Sequence, residues 1–329
     1  MRDSRRMNVC VTGGAGYIGS HMVRALLRDG HEVVVIDDLS AGHADALPQG
    51  IPFVRADVRD HAAVTRALRD HAVEAVLHFA SRIQVGESVA DPRLYWRDNL
   101  AAGIGLLEAV LDAGVKRLVL SSTAAVYGDP VRVPLDEDHP TNPVNPYGVT
   151  KLAIERLLAD YARAYGLSYV ALRYFNASGA DVGSGLGERH DPETHLIPIV
   201  LEAASGKRPH VTVFGDDWPT PDGTCVRDYI HVMDLADAHL AALAHLARGG
   251  ESGAFNLGTG RGHSVNEVIA AARRVTGREI AVVRGPRRAG DPPELVASAE
   301  RATRVLGWTA KRASLDEIVR DAWAWHARG

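Results

Sequence analysis

"NVCVTGGAGYIGSH", residues 8–21, joins a short β-branched run to a glycine turn and then to a helical pattern. Gly13, Gly16 and Gly19 stand three residues apart at that junction. In a strand–turn–helix unit each glycine has its own job: a tight turn, close backbone approach to a pyrophosphate, and close packing of helix on strand. The first N–H groups of the helix, unbonded within it, then meet the negative phosphates. A ligand-free βα turn could use the same glycines, so the unit needs a second signal. Asp37 supplies it, at the end of the next β-branched run and 18 residues after Gly19. A carboxylate there accepts hydrogen bonds from the adenosine ribose hydroxyls and repels a phosphate on that ribose. No arginine follows at once in "IDDLSAGH", so NAD is expected rather than NADP. Asp38 reads as a solvated loop acid or a helix cap. Asp57, in "VRADVRD", could hold the adenine amino group or cap the helix after it.

Outward from this unit the same alternation continues to about residue 175. The runs "EVVVID", "PFVRAD", "EAVLHFA", "RLVLSS" and "SYVALRYF" alternate with helical stretches such as "GIGLLEAVLDAG". Several runs are apolar on both faces, as strands between two helix layers must be. The pattern is α/β, a doubly wound parallel sheet of the Rossmann type. "NASGADVGSGLGERHDPET" then breaks it with a glycine-rich, polar connector that has no periodicity. Residues 1–176 are therefore expected to form the NAD-binding unit and residues 177–329 a smaller mixed α/β unit for substrate. The segment 230–260 is expected to pack back on the first unit. A cleft between the two is the default place for a ligand.

Composition excludes several classes. With 46% hydrophobic and 24% charged residues and a formal charge of -4, the 329-residue chain carries no basic excess for nucleic acid or an anionic membrane. Two cysteines, Cys10 and Cys225, are too few for a disulfide scaffold and fit a reducing cytosol. The opening "MRDSRRM" carries twin arginines but leads into a strand rather than a secretory apolar region, and Met7 could be the true start. No run approaches the roughly 18–20 apolar residues of a spanning helix. The expected location is the cytoplasm.

"NPYGVTKLAIERLLADY", residues 145–161, carries the chemistry. Side chains four apart on a helix share a face, so Tyr147 and Lys151 can address one point. The chain has four lysines among 37 basic residues, and chance would give about 0.1 such Tyr–Lys pairs. A free phenol with a pKa near 10 is about one part in a thousand ionised at pH 7. An ammonium about 5 Å away contributes roughly 3 kcal/mol toward the phenolate at an effective dielectric of 20. With a positively charged nicotinamide nearby, Tyr147 is expected to act as a base near neutral pH. Upstream, "LVLSSTAAVYGD" ends a strand with Ser121, Ser122 and Thr123. In this fold strand ends face the cofactor cleft, so Thr123 is expected to share a hydrogen bond with the substrate oxygen, though hydroxyls there also cap turns.

Together the glycine loop, the hydroxyl–Tyr–Lys set, "HFASRIQVGES", "LRYFNASGA" and "DGTCVRDYIHVMDLADAH" resemble the extended short-chain dehydrogenases, and within them the branch that epimerises UDP-sugars at C4. The likeness runs from about residue 8 to the C-terminus. It implies a tightly held NAD, a tyrosine that takes the proton of the sugar 4-hydroxyl, a transient 4-keto sugar, and interconversion of UDP-glucose and UDP-galactose. Carried onto this chain, Tyr147 is the base, Lys151 its partner and a nicotinamide-ribose ligand, and Thr123 the hydroxyl beside the substrate. Tyr17, Ile18, Val58, Phe79, Ala80, Asn99 and Tyr174 match positions along the NAD site. Asn176, Arg227 and Arg288 match positions that hold the diphosphate, Phe214 lies near the uracil, and Asp291 binds the uridine ribose. His195, Leu196, Tyr229 and Leu295 complete the substrate set. The resemblance also implies a homodimer, paired through helices near 91–113 and 146–165.

The chain departs from the branch in places. Ile83 stands where several members have a lysine, which removes a cofactor contact. His195 stands where an asparagine is common. Leu295 stands at a gate by the sugar ring, where it could admit an N-acetylated sugar. Dehydratases of the same family need an acid after the threonine, and this chain has Ala124 and Ala125 there. Epimerases of UDP-N-acetylhexosamines, UDP-pentoses or UDP-uronic acids remain alternatives, as does a dinucleotide-sensing regulator, which has no use for Tyr147 and Lys151. "HDPETH" places His190 and His195 five apart without zinc-helix spacing or a third clear ligand, so no metal is expected.

Overall fold

The computed structural model describes residues 6–288 and 291–328; the opening segment through Arg5, with the first of the twin arginines, lies outside them. The six β-branched runs are β1 (Asn8–Thr12), β2 (Glu32–Asp37), β3 (Phe53–Arg55), β4 (Ala75–His78), β5 (Arg117–Thr123) and β6 (Ser168–Tyr174). Between them lie α1 (Tyr17–Arg28), α2 (His61–Asp70), α3 (Val85–Ala90), α4 (Pro92–Tyr95), α5 (Ala102–Asp112) and α6 (Pro146–Tyr165), with a π-helical turn, Trp96–Ala101, leading into α5. The chain continues through β7 (Asn176–Ser178), α7 (Leu196–Ser205), β8 (Val211–Phe214), β9 (Val226–His231), α8 (Val232–Ala247) and β10 (Gly253–Leu257). It closes with β11 (Gly262–Ser264), α9 (Val265–Thr276), β12 (Val282–Gly285), β13 (Glu294–Leu295) and α10 (Leu315–His326).

The large sheet is wholly parallel, in the order β10-β6-β5-β4-β1-β2-β3. Alternate side chains of each strand enter opposite layers. Val9, Val11 and Val35 pack with Met22 and Leu26 of α1 and Leu235 and Leu243 of α8. Cys10, Val34, Ile36, Val76 and Leu118 pack on the other face with Leu68 of α2, Leu106 and Val110 of α5, and Leu158 of α6. Each such side chain is worth about 1.5–3 kcal/mol of burial, which is why the strands read as apolar runs rather than alternating ones. Strand order reverses between β1 and β4, and in such sheets a crevice opens there at the carboxyl ends.

A separate core of Ile197, Val200, Val268, Ile269, Ile318 and Val319 holds α7, α9 and α10 against β8 and β9. Within the connector read as having no periodicity, Val182–Ser184 forms a short 3-10 turn and Asn176–Ser178 forms β7, parallel to β9. Three residues carry no readable period, and their partner lies about fifty positions downstream. Segment 232–257 supplies α8 to the first layer and β10 to the edge of the large sheet beside β6.

Candidate active site

A cleft of about 1300 Å³ runs from the glycine loop to the loop before β13. One drug-sized ligand occupies about 300–1000 Å³, so this one has room for two ligands end to end. Every residue expected at the site lines it except Asn99. Asn99 is buried behind the wall, where Oδ1 accepts from the Arg82 backbone N–H (2.8 Å) and Nδ2 donates to the Arg82 carbonyl (3.1 Å). Its geometry is that of a brace for the Arg82 backbone, and the amide is spent on that.

At the dinucleotide end Gly13 turns the chain at φ +72°, and a Cβ there would stand 2.5 Å from Ala80 N. The turn thus seats the glycine loop against the end of β4. Helix α1 starts at Gly16 without a side-chain cap, leaving its first N–H groups to whatever the cleft holds. Tyr17, Ile18, Gly19, Val58, Phe79, Ala80 and Tyr174 line this region. Asp37 is buried, which pushes its carboxyl above the ordinary value, while bonds from Leu39 N (2.8 Å) and Ala15 N (2.9 Å) pull it back. One bond falls on each oxygen, so each keeps a lone pair for a hydroxyl. Asp57 is gripped by the Arg59 guanidinium, which holds its carboxyl below the ordinary value. Asp60, not Asp57, caps α2, accepting from Ala63 N. Ile83 stands 38% exposed at the wall, and Arg82 beside it is bonded to Asp98.

The reacting end is built by β5 and α6. Asn145 caps α6 through Gly148 N (2.9 Å) and Pro146 opens it, which fixes Tyr147 and Lys151 on the first turns. The Thr123 oxygen accepts from Ala125 N (3.1 Å), and the Thr123 hydroxyl favours ionisation of the Tyr147 phenol. Lys151 Nζ donates to the Ser121 carbonyl (3.0 Å). Burial lowers the Lys151 ammonium to about 8, against the pull of Glu155. It raises the Tyr147 phenol to about 12, against the pull of the Thr123 hydroxyl. In the chain alone desolvation dominates the phenol, and the Lys151 ammonium is directed at a carbonyl; the easing expected of lysine and nicotinamide together involves a cation that the chain does not supply.

Beyond Tyr147 the wall passes to the smaller core. Asn176 donates to the Asp228 carbonyl (3.1 Å), and Tyr229 is buried on β9. Arg227 approaches Asp291 at 3.8 Å, and Arg288 lies 4.3 Å over the Phe214 ring and 3.5 Å from Asp291. Two guanidiniums, one acid and one aromatic face thus gather from β8, β9 and the loop after β12. Leu295 packs against the cluster of Ala124, Val126, Tyr127, Leu135 and Leu152, and with Thr123 it lines the cleft. Leu196 and His195 open α7, and His195 meets His190, Glu188 and Glu193. The sequence reading missed the Ser121 carbonyl and both glutamates. The carbonyl carries no residue signal, and the glutamates are ordinary acids until the loop closes on the histidines.

Residues 9–258 match the NAD dependent epimerase/dehydratase family. The chain is 52% identical over 320 residues to a UDP-glucose 4-epimerase of Halalkalibacterium halodurans, covering 97% of this chain and 96% of that one. Its fold superposes, with a TM-score of 0.94 and 50% identity, on a UDP-glucose 4-epimerase of Brucella ovis in complex with NAD, covering 96% of this chain and 97% of the other. A UDP-glucose 4-epimerase of Stenotrophomonas maltophila, with bound NAD and formylated UDP-arabinopyranose, matches with a TM-score of 0.94 and 45% identity over 98% of both chains.

Proposed function

From the premise that the chain belongs to the NAD dependent epimerase/dehydratase family, we propose that it epimerises a UDP-sugar at C4, interconverting UDP-glucose and UDP-galactose. The observation that carries the reading is that Tyr147, Thr123 and Lys151, the last one turn along α6, line one cleft with the glycine loop at one end and Arg227, Arg288 and Asp291 at the other.

The residues present fit NAD. An uncapped helix start suits a pyrophosphate, and Asp37 keeps acceptor capacity for ribose hydroxyls while repelling a ribose phosphate. Lys151, Tyr174 and Phe79 would lie along the nicotinamide half and Asp57 and Val58 along the adenine half. When bound, NAD supplies the hydride acceptor that later returns the hydride to the other face of the 4-keto sugar, and with it a positive ring charge.

Tyr147 takes the proton of the 4-hydroxyl and gives it back, with Thr123 holding the same oxygen. Lys151, charged below a pH of about 8, supplies the chain's own cation for that step. Arg227 and Arg288 pair with diphosphate oxygens through planar forks. Asn176 joins them, Phe214 takes the uracil and Asp291 the uridine ribose. Ala124 and Ala125 offer no carboxylate for eliminating water, which favours epimerisation over dehydration. The test is direct: purified protein given UDP-galactose should yield UDP-glucose, and no interconversion of any UDP-sugar would refute the reading. Tyr147→Phe should retain bound NAD while turnover falls about 10²–10⁴-fold; unchanged turnover would remove Tyr147 as the base.

We also propose a homodimer in a reducing compartment. Exposed Trp96 and Ile104, at 43% and 40%, on the helices near 91–113 support the first, and free Cys10 and Cys225 the second. A sedimenting mass equal to one chain would end the dimer reading. Among the described residues no helix is long and apolar enough to cross a membrane.

A further inference from the structure

The connector between β7 and α7 holds a cluster at the cleft wall of which only His195 was expected at the substrate. Glu188, His190, Glu193 and His195 each turn one donor atom toward a common point, all within 4.8 Å of one another. His195 Nδ1 lies 2.7 Å from Glu188 Oε1 and 3.2 Å from Glu193 Oε1, and His190 Nδ1 lies 3.1 Å from Glu188 Oε1 and 3.8 Å from Glu193 Oε2. Tetrahedral zinc with bonds of about 2.0–2.1 Å has ligand-to-ligand edges of about 3.3 Å, inside the 4.8 Å that bounds one donor atom from each residue.

Charge points the same way. The two carboxylates are only 6% and 5% exposed, and among the described residues the imidazoles are their sole ionic partners. Arg189, which lies between Glu188 and His190 in sequence, pairs instead with Asp45. Buried carboxylates need a cation. Both Nδ1 atoms share one oxygen of Glu188, and Glu193 Oε1 also accepts from Thr194 N (2.7 Å) and His195 N (2.8 Å), so the four side chains converge with or without an ion. A single divalent cation accepts all four donors at once.

We infer that Glu188, His190, Glu193 and His195 form a closed, structural site for a divalent transition-metal ion of the zinc class. Two imidazoles with two carboxylates select zinc, cobalt or nickel over magnesium and calcium, which prefer six or more oxygens. Four protein donors leave no open position, so the ion is structural. It neutralises both acids and ties the start of α7 to the glycine-loop side of the cleft, where the His190 ring packs edge-on against Tyr17 at 6.3 Å. The spacing Glu-x-His-x-x-Glu-x-His supplies the third and fourth ligands that two histidines five apart lack.

The test uses the full-length protein with its bound nucleotide, stripped of metal by a chelator and titrated with zinc against a chromophoric competitor. One equivalent should bind, and cobalt(II) in the same site should give the strong visible bands of a four-coordinate ion. His190→Ala and Glu193→Gln should each weaken zinc at least about tenfold, and the double variant should lose it, while Cys225→Ser, which removes the soft ligand of the cleft, should not. Zinc should also raise the unfolding midpoint of the wild-type chain and leave that of the double variant in place. Absence of a saturable equivalent in the wild-type chain, or equal affinity in the double variant, overturns the proposal. Should the double variant fail to fold, an anomalous-difference map of a zinc-soaked wild-type crystal decides. A peak between the four side chains supports the site, and a peak elsewhere or none refutes it.

Discussion

At the residue scale the site turns on how burial treats two titratable groups of opposite charge type. Burial disfavours the charged form of each, so it lifts the Tyr147 phenol to about 12 and drops the Lys151 ammonium to about 8. For the lysine this has a stability consequence whose sign is fixed. Below about pH 8 both folded and unfolded chains carry the proton, and the folded chain bears the full cost of a buried ammonium. Between about 8 and the ordinary 10.5 the folded chain has released its proton while the unfolded chain has not, so stability gains as pH rises through that window. The shift corresponds to about 3 kcal/mol. Lys151→Met should therefore be more stable than the wild type by up to that amount at pH 7 in denaturant titrations, and the difference should shrink toward pH 10. A pH-independent difference would show that the ammonium is not buried as described. The same variant should lose turnover, because removing the charge leaves the phenol with no cation from the chain.

At the element scale the decisive feature is the first turn of α6. Its signal is local: Asn145 as cap, Pro146 at the first helical position, and a glycine after the tyrosine. The glycine is required by what lies across from it. A Cβ at Gly148 would overlap the carbonyl oxygen of Ala125 and press on Pro143 Cβ at 2.9 Å. Gly148→Ala gains about 1 kcal/mol of helix propensity and loses about 1–3 kcal/mol to overlap. The loss should win, since the oxygen is backbone and cannot swing aside. Denaturant unfolding should report net destabilisation, and turnover should fall because Tyr147 shifts relative to Thr123. A variant as stable and as active as the wild type would mean that the approach of α6 to β5 does not set the site. The contact that demands the glycine was not readable from sequence, because Ala125 lies 23 positions away and belongs to another element.

At the scale of the whole molecule, the cleft exists because the strand order reverses in one sheet while a second core faces its carboxyl ends. Leu295, on β13 beside β9, packs against the small cluster that contains Ala124 and lines the cleft. Leu295→Tyr should cut kcat/KM for UDP-N-acetylgalactosamine relative to UDP-galactose by about tenfold or more, and an unchanged ratio across a size series at 295 would show that it is no gate. Much of this was legible beforehand. Gly13, Gly16, Gly19 and Asp37 declared a dinucleotide unit, and Tyr147 with Lys151 declared the chemistry, because turn geometry, helix spacing and strand ends act over a few residues. Asn99 could not be placed the same way: its match to the family said where it lies, and the Arg82 backbone it braces lies 17 positions away. Sequence thus determined features whose physics is local in the chain: the glycine turn, the Tyr–Lys spacing and the two-faced strands. Tertiary structure alone decided β7, the burial that sets the two titrations, and the meeting of Glu188 and Glu193 with two histidines, because solvent exclusion and closure of a loop depend on which surfaces the fold brings together.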